Sequence, residues 1–341
     1  MNFRQKKIIS LWLYSGLILV VAMVLIGGIT RLTHSGLSMV EWKLIGGTIP
    51  PLNETAWQET FTKYQQFPEY QKINKGMTLS EFKTIFFWEY LHRLLGRLIG
   101  LVFIIPFLLF WKKKWLDKKL KKQLIFLLLL GGLQGFLGWF MVQSGLVDVP
   151  AVSHFRLAIH LITAFALIVY IYWLILETGE KEKFTNKKIN KLTKGFVLLL
   201  LLQIIYGAFT AGLKAGYLKP AGKDFAFSFH GLFESLFTNF APVSLQNLDV
   251  INNPYNIQFL HRILAWFIFF FASYIWQKAK DTFLQKASFI LLLTISLQIV
   301  LGIITLLFGV PIFFALAHQF VGVLALLGAI YLVFLSNENS Q

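Results

Sequence analysis

The sequence predicts an all-α membrane protein of eight transmembrane helices, forming two tandem four-helix bundles with N- and C-termini in the cytoplasm. Three observations predict it. Eight apolar runs approach or exceed the ~20 residues a helix needs to cross a bilayer. Basic residues gather between those runs, more heavily on one side. Motifs in the first four runs recur in the last four. The composition agrees: 56% of the 341 residues are hydrophobic, with 35 Phe and 10 Trp, against roughly 45–50% apolar residues in a soluble domain.

The spans lie near 8–29, 85–111, 123–143, 154–176, 194–213, 257–276, 286–308 and 313–335. Span 1 reads as a retained helix. Its apolar stretch is long for a signal peptide, and no small-residue cleavage site precedes Gly27-Gly28-Ile29-Thr30-Arg31. Span 2 carries Leu91-His92-Arg93-Leu94-Leu95, and span 6 nearly repeats it as Leu260-His261-Arg262-Ile263-Leu264. Spans 3, 5 and 7 share Leu-Gln-x-x-x-Gly, at Gln134/Gly138, Gln203/Gly207 and Gln298/Gly302. Spans 1, 5 and 7 share Gly-x-x-Thr, at Gly27/Thr30, Gly207/Thr210 and Gly302/Thr305. Spans 4 and 8 place His160 and His318 near one end. The halves divide as 1–176 and 177–341, in parallel, since four spans return the chain to its starting side. The Gln and Gly pattern reads as helix packing, small residues permitting close approach and Gln bonding across it. The outer loops, about 30–84 and 214–256, are long. The first is too rich in Gly, Pro and Trp to be mere linker, and Phe225–Phe237 in the second suggests a segment at the membrane interface.

The net charge of +16 invites a nucleic-acid reading, which its distribution excludes. With the N-terminus inside, the cytoplasmic segments hold 19 Lys and Arg, the longer outer segments ten, and the spans three. That is the positive-inside bias. The absence of cysteine excludes disulfides, thiolate metal sites, cysteine nucleophiles and covalent c-type haem attachment.

Four histidines within apolar helices demand a reason, because an ionisable ring is costly in hydrocarbon. The topology puts His92, His160, His261 and His318 near the outer ends of spans 2, 4, 6 and 8. Histidines facing across a bundle suit the axial positions of a haem iron, and the pairs expected are His92 with His160 and His261 with His318. A cross-half pairing satisfies the same count. Arg93 and Arg262 follow their histidines and could meet haem propionates. His34, His154 and His230 lack such partners and read as loop or interface residues. Glu89 lies three residues before His92, on the same helix face. It could pair with Arg93 at i+4 or move protons, whereas its counterpart in the second half, Gln258, cannot move a proton at ordinary pH. The first half therefore reads as the reacting one and the second as holding a cofactor.

Several stretches resemble the first outer loop and second span of the haem A synthases of the CtaA type. They are Gly27–Thr33, Ser35–Met39, Glu41-Trp42-Lys43, Pro50-Pro51, Gly76-Met77, Glu81-Phe82-Lys83 and Glu89–Arg97. The likeness covers nearly the whole chain. It implies oxidation of the C8 methyl of haem O to a formyl group by successive hydroxylations, giving haem A for cytochrome oxidase. It further implies that His92 and His160 surround the substrate haem, that His261 and His318 ligate a b-type haem passing electrons, and that Glu89 is the essential carboxylate. The farnesyl tail would lie among side chains such as Phe86, Phe87 and Leu91. Many members of that family carry cysteine pairs in their outer loops; this chain has none, so no thiol step applies. Expected partners are haem O, haem O synthase, cytochrome oxidase assembly factors, an electron donor and the lipid bilayer of the cell (inner) membrane, with homo-oligomerisation left open. A di-haem b-type electron carrier and a haem transporter or chaperone are the alternative readings.

Overall fold

A computed structural model of the chain describes residues 1–41, 47–147, 150–179, 184–218 and 251–337. They form two compact units, Met1–Glu180 and Lys181–Gln341. The first contains α1 (Phe3–Leu32), α2 (Glu54–Tyr64), α3 (Pro68–Lys72), α4 (Leu79–Lys112), α5 (Lys118–Gln143) and α6 (His154–Thr178). The second contains α7 (Lys187–Gly212), α8 (Pro254–Ala279), α9 (Gln285–Leu307) and α10 (Ile312–Ser336), with a 3-10 turn at Ala215–Tyr217. Eight of these helices, all but α2 and α3, are long and apolar enough to cross a membrane.

Most helices overrun the apolar stretches that announce them, because capping rather than hydropathy sets their ends. At α1 the Asn2 side chain accepts from the backbone N–H of Gln5, whose own side chain bonds back to Asn2. Thr78 and Glu81 do the same for α4, starting it six residues before the apolar run. Asp117, Asn186 and Asn253 cap α5, α7 and α8. Each cap satisfies N–H groups that a helix start leaves open, worth about 1 kcal/mol.

Within the first unit α1 packs along both α4 and α6, and α5 packs along α6; α4 and α5 touch at only a few points. Within the second unit α7, α8, α9 and α10 each pack along two neighbours and close a ring. Lipid offers no hydrophobic drive between helices, so specific contacts matter. Pro106 inside α4 has no N–H and leaves the carbonyl of Val102 without its helical donor. The Trp12 indole of α1 supplies one, at 2.9 Å, and stacks on Phe103 with ring centres 5.2 Å apart. In the second unit the Asn190 amide of α7 donates to the Val333 carbonyl and the Ser336 hydroxyl of α10, at 3.0 and 3.2 Å.

The segment after α1 is a folded module rather than a linker. Phe61, Tyr64, Phe82 and Phe86 form an apolar cluster under Trp57 and Tyr70. Burying each Phe stabilises the module by about 1.5–3 kcal/mol. The Tyr64 hydroxyl donates to Glu69 and accepts from Asn74, and burial beside the Glu69 carboxylate raises its ionisation above the ordinary range. Phe86 is thereby committed to the module, while Phe87 is exposed. The second outer loop's Phe225–Phe237, with His230, lies outside the described residues.

Trp12→Phe keeps the stack but orphans the Val102 carbonyl, and should cost about 1–3 kcal/mol. Pro106→Ala restores the helical donor, so a double-mutant cycle on thermal unfolding in detergent should show Trp12→Phe becoming nearly neutral in that background.

Candidate functional site

All four expected histidines sit opposite a glycine of a neighbouring helix. A Cβ at Gly27 of α1 would lie 3.1 Å from His92 Nε2 on α4; at Gly138 of α5, 3.1 Å from His160 Cε1 on α6. A Cβ at Gly207 of α7 would lie 3.2 Å from His261 Cε1 on α8; at Gly302 of α9, 2.9 Å from His318 Cε1 on α10. Each ring thus occupies the space that a side chain on the facing helix would fill. Sequence reasoning had read this Gly pattern as ordinary packing. The missed signal was the matched placement of one small residue for each histidine.

In three of the four seats a glutamine stands one turn before the glycine. The Gln134 amide lies 3.1 Å from the His160 carbonyl and 3.4 Å from its Nε2. Gln203 donates to the His261 carbonyl at 2.9 Å. The Gln298 amide is 3.2 Å from His318 Nε2, and the Gln298 carbonyl oxygen lies 3.0 Å from His318 Nδ1. These bonds reach the ring at His318 and His160 but only the backbone carbonyl at His261, whose ring is held by helix geometry.

His261 and His318 face each other with ring centres 6.4 Å apart and planes at 73°. Two imidazole–metal bonds of roughly 2 Å, plus roughly 1.1 Å from each nitrogen to its ring centre, span about 6.2 Å, close to the separation of this pair. His318 directs Nδ1 at a carbonyl, the usual outward partner of a ligating ring. Among the described residues His160 Nδ1 and His261 Nδ1 are buried without a hydrogen-bond partner, on the ring edge that faces the glycine. Among the described residues no three His, Asp or Glu cluster as a closed metal site; a pair of imidazoles such as His261 and His318 could serve a haem, whose porphyrin fills the equatorial positions.

Glu89 is buried on α4, 3% exposed, and fully engaged. It pairs with Arg93 at 2.6 Å and accepts from the Ser38 hydroxyl at 2.7 Å and the Met39 N–H at 2.8 Å. Arg93 also donates to the carbonyls of Met39 and Glu41 at 2.8 and 3.0 Å. The pair therefore fastens the loop after α1 to the helix bearing His92, and the Arg93 fork is spent on that task. Gln258 does the equivalent work in the second unit, donating to Ala215 in the turn after α7 at 3.0 Å. Ser38 and the Met39 N–H belong to the Ser35–Met39 stretch, but nothing in the sequence joined that stretch to Glu89. Arg262 is half-buried beside His261. His34 adopts a left-handed turn after α1, and His154 opens α6 against Phe155, both apart from the paired rings.

Gly302→Ala would force its Cβ to 2.9 Å from His318, an overpacking cost of about 1–3 kcal/mol. After reconstitution with hemin, the variant should lose about half of the bis-imidazole absorbance. Gly131→Ala on α5, with open space around it, should leave the spectrum unchanged.

The COX15-CtaA family profile, described as a cytochrome oxidase assembly protein, matches residues 10–330. "Heme A synthase" of Flavobacterium psychrophilum is 42% identical over 332 residues, covering 93% of this chain and 94% of that one. "Heme A synthase" of Flavobacterium johnsoniae is 41% identical over 327 residues, 93% of this chain and 94% of that one. "Heme A synthase" of Pelagibacter ubique is 42% identical over 339 residues, 98% and 97% of the two chains. With identity at that level spread across all eight long helices, the chain belongs to the COX15-CtaA family.

Proposed function

We propose that this protein is a haem A synthase of the cell membrane. It oxidises the C8 methyl of haem O to a formyl group by two hydroxylations and loss of water, so supplying haem A for cytochrome oxidase. Family membership supports the reaction, and the four glycine-seated histidines support the cofactor chemistry. The observation that carries the reading is the paired rings of His261 and His318 at metal-bridging separation.

In this reading the halves are tandem copies with both termini cytoplasmic and unequal work. His92 and His160 hold the iron of haem O as substrate, with the farnesyl tail among apolar side chains such as Phe87 and Leu91. His261 and His318 hold a b-type haem, which when bound supplies one-electron transfer. Arg262, half-buried next to His261, can meet a propionate of that haem. Arg93 reaches the first-half porphyrin edge only by releasing the loop carbonyls that it now binds. Glu89 handles protons beside the reacting methyl and, through Ser38, Met39 and Arg93, keeps the outer loop closed against water. Haem O synthase, oxidase assembly factors and a membrane electron donor are the partners this reaction requires.

Coexpression with a haem O source followed by pigment extraction tests the reading. A haem A synthase accumulates haem A; two unmodified haems would indicate an electron carrier, and altered haem delivery alone a transporter. Glu89→Gln installs the second half's amide, which still suits the loop but carries no charge for Arg93. Haem A output should fall at least ~100-fold while b-type haem remains bound; undiminished haem A would remove Glu89 from the chemistry.

A further inference from the structure

One of the four histidine seats is built differently. Where Gln134, Gln203 and Gln298 stand one turn before their glycines, the seat of His92 has Met23. The change is paired across the contact. Met23 packs its methyl against Gly96, where an added Cβ would lie 3.3 Å away. Gly96 follows His92 by four residues, and Ala265 follows His261 by four. A Gln with an Ala in the second unit is thus a Met with a Gly in the first. The amide that donates to the His261 carbonyl has no equivalent at His92, since a thioether carries no N–H.

The ring itself differs accordingly. His160, His261 and His318 turn Cε1 toward their glycines, whereas His92 turns Nε2 and Cδ2, a half-turn about its ring axis. Among the described residues no group hydrogen-bonds the His92 ring, a state shared with the His261 ring, so the two seats differ in the amide on the histidine carbonyl rather than in a bond to the ring. Its helix, α4, is also the one held by few contacts along the α4–α5 side, while the matching α8–α9 side is packed along its length.

We propose that His92 is the exchangeable ligand, the single imidazole that leaves the iron so that substrate porphyrin can enter and product porphyrin can depart. The inference rests on the haem-site reading above and deepens it. A substrate site must let go of its porphyrin at each turnover, while the b-type site keeps its own. Met23 is then a positioning residue acting by omission: with no amide on the His92 carbonyl, the turn of α4 that carries His92 shifts off the iron without breaking the Gln–carbonyl hydrogen bond that pins the turn bearing His261. The other three stay anchored, His160 and His261 through their own carbonyls and His318 through its ring.

Carbon monoxide binds a ferrous haem only when an axial imidazole has left, so its binding rate reads ligand departure without reference to turnover. The full-length protein, reconstituted with hemin and reduced with dithionite, should contain one CO-reactive haem and one inert haem. Met23→Gln should slow the reactive component about tenfold, the scale of one net hydrogen bond, at unchanged haem content. Met23→Leu should leave the rate as it is, and Gln203→Met should give the second haem a CO-reactive component. Wild-type speed in Met23→Gln, equal slowing in Met23→Leu, or two equally reactive wild-type haems would overturn the proposal. If Met23→Gln takes up no haem, Gln203→Met decides, and an inert second haem in that variant would overturn it. Failure of the wild-type chain to bind hemin at all would instead bring down the haem-site reading, and this inference with it.

Discussion

An imidazole can stand between two closely packed membrane helices only where the facing helix presents no side chain. That steric condition organises both units. Four times a glycine leaves a hollow one residue wide, and four times a histidine of the neighbouring helix occupies it. The hollow does two things at once. It brings the helix backbones near enough for dispersion contacts to hold them in lipid, where no hydrophobic force separates helix from solvent. It also fixes where the ring points, because a ring seated against backbone has few rotamers left.

On this shared frame the two units diverge by single residues. Glu89 and Gln258 occupy corresponding positions and both tether the loop that follows the first helix of their unit. One tether is an anion paired with a guanidinium, the other a neutral amide. Met23 and Gln203 correspond in the same way, as do Gly96 and Ala265. The closed ring of α7 to α10 and the loosely joined α4 and α5 give the same contrast at the scale of helices. Each change takes a fixed hydrogen bond or close contact out of the first unit, or adds a charge to it.

Much of this was legible in the sequence because bilayers impose coarse rules. Apolar length gave eight spans, and the doubled Leu-His-Arg drew attention to the histidines. Helix ends were less legible, since Asn2, Thr78 and Asp117 extend helices into polar flanks that hydropathy scores as loop. The Glu89–Arg93 pair could be foreseen from its i,i+4 spacing, but Ser38 and the Met39 N–H lie some 50 residues away and reach Glu89 only through the fold. The bond from Trp12 to Val102 likewise joins residues 90 apart. Only Pro106 hinted at it, as a carbonyl in need of a donor. Phe86 looked like part of an apolar path and proved to belong to the outer module, because α2 folds back over it.

Glu89 fastens the loop that follows α1. The carboxylate that closes the loop does so by its charge, through Arg93, and by its lone pairs, through Ser38 and Met39. The seal therefore rests on one side chain: losing that carboxylate would free the Arg93 fork, the Ser38 hydroxyl and the Met39 N–H at once, so a single change on α4 unfastens a stretch of chain some 50 residues distant.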